Sequence, residues 1–151
     1  MQDPVRYQRL RATRIDCLLL TDFDSEFAFL KNVCGRLGIR MHHANTLEQA
    51  DFLLMATEAT VLVSDVTLAD CSWRCALHLI GGRYPLTAML VLADPVDRPF
   101  LQQASSLGVC GIIWKPVQVG AAARLIRTAH QAWEDRQCLR QMTDMAACPG
   151  R

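Results

Sequence analysis

Short apolar runs alternate with longer stretches of helical spacing along almost the whole chain, and this alternation decides what the chain can fold into. The runs are "CLLLT" (17–21), "RMHHA" (40–44), "TVLVS" (60–64), "AMLVLA" (88–93) and "CGIIW" (110–114). Four of them are nearly all apolar, as strands covered on both faces must be. Between them, Phe27, Leu30, Val33, Cys34 and Leu37 share one helical face ahead of Gly38. "TLEQADFLLMA" opens on a capping-box pattern, with Asn45 or Thr46 ahead of Glu48 and Gln49. "SWRCALHLIGG" and "DRPFLQQASSLG" each close on glycine, and "VQVGAAARLIRTAHQAWEDRQCLRQMTDMAA" reads as a long amphipathic helix. Five β–α units in succession predict an α/β fold: a doubly wound five-stranded parallel sheet with helices on both faces.

Composition narrows the function classes. The 151 residues suffice for one domain with a real core, and 51% of them are hydrophobic, which argues against disorder. A formal net charge of +1 gives no general reason to expect nucleic acid. No apolar run approaches the roughly 20 residues of a membrane span. The expectation is a cytoplasmic chain with no nucleic-acid and no membrane partner. Residues 1–13 read as a basic solvated arm carrying Arg6, Arg9 and Arg11. Residues 14–131 read as the domain, and 132–151 as a helical extension with a frayed tail. The seven cysteines include no CxxC pair, so reduced thiols packed as small hydrophobes are expected. Cys71 and Cys75, four apart, could share a helix face, but no second ligand pair accompanies them.

Ligands of such sheets bind outside the carboxyl ends of the strands. Asp22 and Asp24 follow the first run, Asp65 the third, Ala93 and Asp94 the fourth, Lys115 and Pro116 the fifth. Carboxylates gathered on one rim repel unless a cation joins them. Lys115 and a divalent metal would supply it. That donor set suggests Mg²⁺ on Asp22, Asp65 and Asp24, beside a nucleophilic carboxylate. The chemistry best matched is phosphoryl transfer onto an aspartate.

These residues together resemble the receiver domain of two-component response regulators, over roughly residues 14–130. "VLVSDVTLADCSW" is similar to the family's third-strand motif, which places the phosphoacceptor at Asp65. The family's Met-Pro pair three residues on is Leu68 and Ala69 here. "LGVCGIIWKP" is similar to the fifth-strand motif and makes Lys115 the family's lysine. "LTDFDSEF" is similar to the acidic motif after the first strand. The resemblance implies a flavodoxin-like sheet, Mg²⁺, and phosphorelay signalling. In that scheme a histidine kinase or phosphotransfer protein donates to Asp65, and the domain itself is not an enzyme. The expectation is a stand-alone receiver without an output module, acting by protein docking.

The departures bear on the same site. The family has two adjacent acids after the first strand. Either Asp22 is the first and Phe23 replaces the second, with Asp24 as helix N-cap, or Thr21 replaces the first and Asp22 is the metal ligand. The family's Ser or Thr after the fourth strand falls on Ala93, and its aromatic switch residue on Ile112. These changes make a pseudo-receiver, an interaction module that is not phosphorylated, the alternative reading. A more distant one is a haloacid-dehalogenase-type phosphohydrolase, since "LLLTDFDSE" resembles its DxD motif with Asp22 as nucleophile and Asp24 as acid/base. That family needs a further acidic pair after its lysine, and beyond Lys115 the acids lie only in the long helix.

The helical pattern runs past the expected end of the sheet, through Trp133 and Leu139 to Met142 and Met145. Receivers commonly pair through the face of the fourth helix, fifth strand and fifth helix. Both points lead to the expectation of a weak homodimer that does not require phosphorylation.

Overall fold

The computed structural model describes residues 14–147, and the basic arm and the last residues of the tail lie outside it. The strands are β1 (Ile15–Leu20), β2 (Ile39–Ala44), β3 (Val61–Asp65), β4 (Ala88–Ala93) and β5 (Gly111–Trp114). The α-helices are α1 (Asp24–Gly35), α2 (Leu47–Thr57), α3 (Trp73–Arg83) and α4 (Val119–Ala147), and a 3₁₀ helix spans Pro95–Leu101. All strands are parallel, in the order β2-β1-β3-β4-β5. The doubly wound sheet is therefore as the alternation predicts. The order reverses direction between β1 and β3, so the crevice for a ligand opens at their carboxyl ends.

Strand alternation sends successive side chains to opposite faces. Cys17 and Leu19 of β1, Val61 and Val63 of β3, and Leu90 and Leu92 of β4 pack with Leu30 and Cys34 of α1 and Ala122, Ile126 and Ala129 of α4. Leu18, Leu20, Leu62, Met89 and Val91 pack on the other face with Leu54 of α2, Trp73, Ala76 and Ile80 of α3, and Leu101. Every residue of β3 and β4 is buried. At roughly 1.5–3 kcal/mol for each fully buried large apolar side chain, these two layers dominate the stability.

The local signals account for most element ends. Thr46 caps α2, accepting from the Gln49 N–H at 3.2 Å, while the Asn45 N–H donates to Gln49 Oε1 at 2.8 Å. Ser72 caps α3 through the Arg74 N–H. Gly38, at φ 81°, turns the chain into β2, whose register on β1 places Ile39 opposite Ile15.

Three expectations need correction. The stretch "DRPFLQQASSLG" is not an α-helix: the 3₁₀ helix ends at Leu101 and turns continue to Gly108. Pro95 and Pro99 lack N–H donors, and Pro99 interrupts any longer ladder. Asp24 is the first residue of α1 and not its cap; Phe23 occupies the cap position, without a side-chain cap. The reason is that Thr21 Oγ1 accepts the Phe23 N–H at 3.1 Å, a local turn that starts the helix one residue earlier than an Asp24 cap would. Finally, Cys71 is paired with Cys75 as a disulfide, while Cys17 and Cys34 are buried thiols as expected.

Helix α4 is continuous through residue 132. Its contact with the domain persists one turn further than its sequence suggests. His130 accepts from or donates to Thr60 Oγ1 at 2.8 Å, Trp133 is half-buried, and Arg136 donates to the Thr87 carbonyl at 3.3 Å. Beyond these, Leu139, Met142 and Met145 are exposed.

Candidate functional site at the carboxyl ends of β1, β3 and β5

β3 delivers Asp65 as its last residue, opposite Leu92 of β4. Apolar neighbours on both sides leave its side chain 4% exposed. Lys115 follows β5, held in place by its backbone N–H, which donates to the Ala93 carbonyl at 2.8 Å. Its ammonium stands 3.4 Å from Asp65 Oδ1. The two residues singled out as phosphoacceptor and charge partner are therefore brought together.

Thr21 follows β1 and is fully buried. Its hydroxyl donates to Asp65 Oδ2. Asp22, next in sequence, is exposed and makes no hydrogen bond or ion pair among the described residues. Asp24 is exposed too, with its carboxylate 3.8 Å from His43 Nδ1. His43 stacks on Phe27 and bonds the Thr21 carbonyl at 2.9 Å, which fixes the end of β1. So the side chain that β1 turns toward Asp65 is a neutral hydroxyl, and the acids after it stay at the surface.

A carboxylate the motif does not point to fills the space between. Glu26, in the first turn of α1, lies 2.8 Å from the Lys115 ammonium and 3.3 Å from the Thr21 hydroxyl. The Phe23 ring lies 5.7 Å from the same ammonium. A turn-one position of the helix after β1 faces back over the strand ends, and that geometry is the only signal by which the sequence could have disclosed Glu26.

Burial raises the Asp65 pKa above the ordinary carboxylate value; the Thr21 hydrogen bond and the Lys115 charge offset this only in part, and Glu26 adds to it. For Lys115, burial works against the charged form, but the Glu26 hydrogen bond and the Asp65 charge outweigh it and the pKa is raised. The ammonium is thus firmly charged, and the aspartate is a poorer anion than a solvated one.

Ala93 and Ile112, the residues expected at the switch positions, both lie in strands of the sheet. Ala93, 1% exposed, ends β4 beside Lys115, and Ile112 pairs with Val91 and packs into the second layer. Neither offers a hydroxyl or an aromatic ring.

The donor set does not match Mg²⁺ as arranged. Asp65 Oδ2 is taken by Thr21, Oδ1 faces the ammonium without a hydrogen bond, and Asp22 and Asp24 are exposed. Among the described residues no group of three or more His, Cys, Asp or Glu is placed to hold a metal.

No protein-family model matches the chain, and no curated protein matches it. Solved structures do. The signal receiver domain of an HD domain-containing protein from Pseudomonas fluorescens Pf-5 superposes with TM-score 0.73 at 21% identity, over 83% of this chain and 93% of that one. The signal receiver domain of a Luxo repressor protein from Vibrio parahaemolyticus gives TM-score 0.74 at 15% identity, over 83% and 97%. A response regulator receiver domain protein from Clostridium thermocellum gives 0.72 at 17%, over 83% and 98%. The chain has the receiver-domain fold. Within that fold, Asp65 and Lys115 stand together at the carboxyl ends of β3 and β5, with Thr21, Glu26 and Ala93 around them. No helix among the described residues is long and apolar enough to cross a membrane.

Proposed function

We propose that this chain is a response-regulator-type signalling module that acts by docking to other proteins, with its Asp65 site held closed by its own side chains. The observation that carries this reading is Glu26. Its carboxylate sits on Lys115 at 2.8 Å, closer than Asp65 does, and so supplies the anion that a phosphoryl group would otherwise provide. Thr21 in place of an acid, buried Asp65 with a raised pKa, and Ala93 without a hydroxyl all weaken metal-assisted phosphoryl transfer. The fold is retained, and fold alone does not carry the chemistry.

A second reading is favoured by one observation, the 3.4 Å approach of Lys115 to Asp65 at the topological switch point. In it, a histidine kinase or phosphotransfer protein phosphorylates Asp65 with Mg²⁺ once Glu26 has moved away. The phosphohydrolase reading has no such support: Asp22 is exposed, and the carboxylates at Lys115 are Glu26 and Asp65.

Incubation with a small phosphodonor and Mg²⁺, read by intact mass, separates the two. The docking reading expects no Asp65-dependent adduct on the wild-type chain. An adduct on wild type that Asp65→Asn abolishes would establish the phosphoacceptor reading instead.

A further inference from the structure

Immediately after Asp65 the chain folds into a tight turn before α3. The Leu68 N–H donates to the Cys71 carbonyl at 2.7 Å and the Trp73 N–H to the Val66 carbonyl at 3.1 Å, with Thr67 bridged to Ser72. Cys71 closes this turn and Cys75 lies in the first turn of α3. Their Cα atoms are 6.1 Å apart, inside the span a disulfide bridges, and the two are paired. They differ in kind from the two buried cysteines, Cys17 and Cys34. Burial raises the pKa of Cys17 and of Cys34, which makes both poor nucleophiles. Cys71 and Cys75 are only half-buried. The first turn of α3 holds no acidic residue, and the free N–H groups of a helix start favour negative charge on a nearby sulfur.

We propose that Cys71 and Cys75 form a reversible redox-modification site whose oxidant is a hydroperoxide. One thiolate attacks a peroxide oxygen, the O–O bond breaks, and a sulfenic acid and water result. The second thiol then displaces the sulfenic oxygen as another water and the S–S bond forms. Two thiols and one hydrogen peroxide thus give one disulfide and two waters; a dithiol reductant reverses the change. The bond ties the turn to the helix it precedes. Val66, Thr67, Ser72, Trp73 and Arg74 form one wall of a cleft of about 290 Å³ faced by Asp97 and Phe100. Oxidation fixes that wall and reduction releases it, independently of whether Asp65 is ever phosphorylated.

The test uses the full chain and needs no variant to begin. Trypsin cleaves after Arg74, so Cys71 lies in peptide 41–74 and Cys75 in peptide 75–83, each the sole cysteine of its peptide. Reduced protein is treated with hydrogen peroxide, remaining thiols are alkylated, and the digest is run without reductant. The expected result is a linked 41–74/75–83 species that appears with peroxide and is lost with dithiothreitol. Cys71→Ser and Cys75→Ser each abolish it, and amide exchange across residues 66–73 slows on oxidation in wild type only. Recovery of both peptides separately, as sulfinic acids or alkylated thiols, overturns the proposal. Linkage of either cysteine mainly to Cys110 or Cys138 overturns it as well, and so does a linked species without any change in exchange.

Discussion

Glu26 and Lys115 meet at 2.8 Å over the buried carboxylate of Asp65, and this pair closes the site more tightly than the 3.4 Å contact between Lys115 and Asp65 itself. Both partners are mostly buried, with side chains 24% and 21% exposed. A carboxylate fixed in the first turn of α1 requires no phosphoryl group to satisfy the lysine. The competition between the two anions for one ammonium sets the first prediction.

Glu26→Gln removes that competing charge while keeping the side-chain length. Stability is expected to fall by about 1 kcal/mol, the order found for a partly exposed ion pair. Labelling of Asp65 by a small phosphodonor with Mg²⁺ should rise from the wild-type level. Denaturant melts and intact mass measure both. Labelling that stays at the wild-type level in the variant would show that Glu26 is a structural partner of Lys115 and nothing more.

Ala93→Thr tests the missing hydroxyl. A charge-assisted hydrogen bond to a phosphoryl oxygen is worth about 1.5–3 kcal/mol, so roughly tenfold or more in labelling is expected on the Glu26→Gln background. Ala93 is 1% exposed, and the added atoms cost about 1–3 kcal/mol of packing. Ala93→Ser, which is smaller, controls for that loss. Equal labelling with Ala, Ser and Thr at this position would rule out any contribution from the hydroxyl.

The sheet was legible because two-faced burial imprints itself on sequence: β3 and β4 read as continuous apolar runs and are buried throughout. Asp65 and Lys115 were legible because each ends such a run. Glu26 was not, since an acid in a helical first turn is ordinary at any surface and only the tertiary fold brings it over Lys115. The choice between Thr21 and Phe23 at the acid position was open for a related reason. Strand β1 ends at Leu20, and which of the next side chains turns inward depends on the Thr21–Phe23 turn, a one-residue matter that apolar periodicity does not encode. The stretch 97–108 shows the reverse failure, where helical spacing was present but Pro99 removed the hydrogen bond needed to use it.

Asp65→Asn should stabilise the folded chain at neutral pH. Burial raises the Asp65 pKa above its unfolded value, so between the two values the folded state holds a proton that the unfolded state has released. Stability from this residue is therefore full below the unfolded carboxylate range and is lost as pH rises through the folded pKa. Asparagine never ionises and escapes that loss. The variant should melt higher than wild type at about pH 7, by roughly 2–4 °C for each kcal/mol recovered, and the gap should narrow toward about pH 4. A wild-type melting temperature above that of the variant at neutral pH would mean that the Lys115 and Thr21 partners more than offset the burial.

The end of α4 carries the last prediction. Leu139, Met142 and Met145 are 63%, 61% and 77% exposed and recur every third residue, so they lie along one flank of the helix, beyond the contacts of Trp133 and Arg136 with the domain. A second copy of the same helix would cover them. Full burial of such side chains is worth at most about 1.5–3 kcal/mol each, and these are already partly covered. Association costs about 4–15 kcal/mol in lost freedom, so two stripes of three residues support only a weak dimer. Sedimentation should show reversible self-association at high micromolar concentration, unchanged by Asp65→Asn. The triple variant Leu139→Glu, Met142→Lys and Met145→Glu should be monomeric with an unaltered melting temperature, because none of the three touches the core. A wild-type chain that stays monomeric across that range would leave these residues without a role in self-association. A fall in melting temperature in the triple variant would instead show that the stripe packs on its own domain.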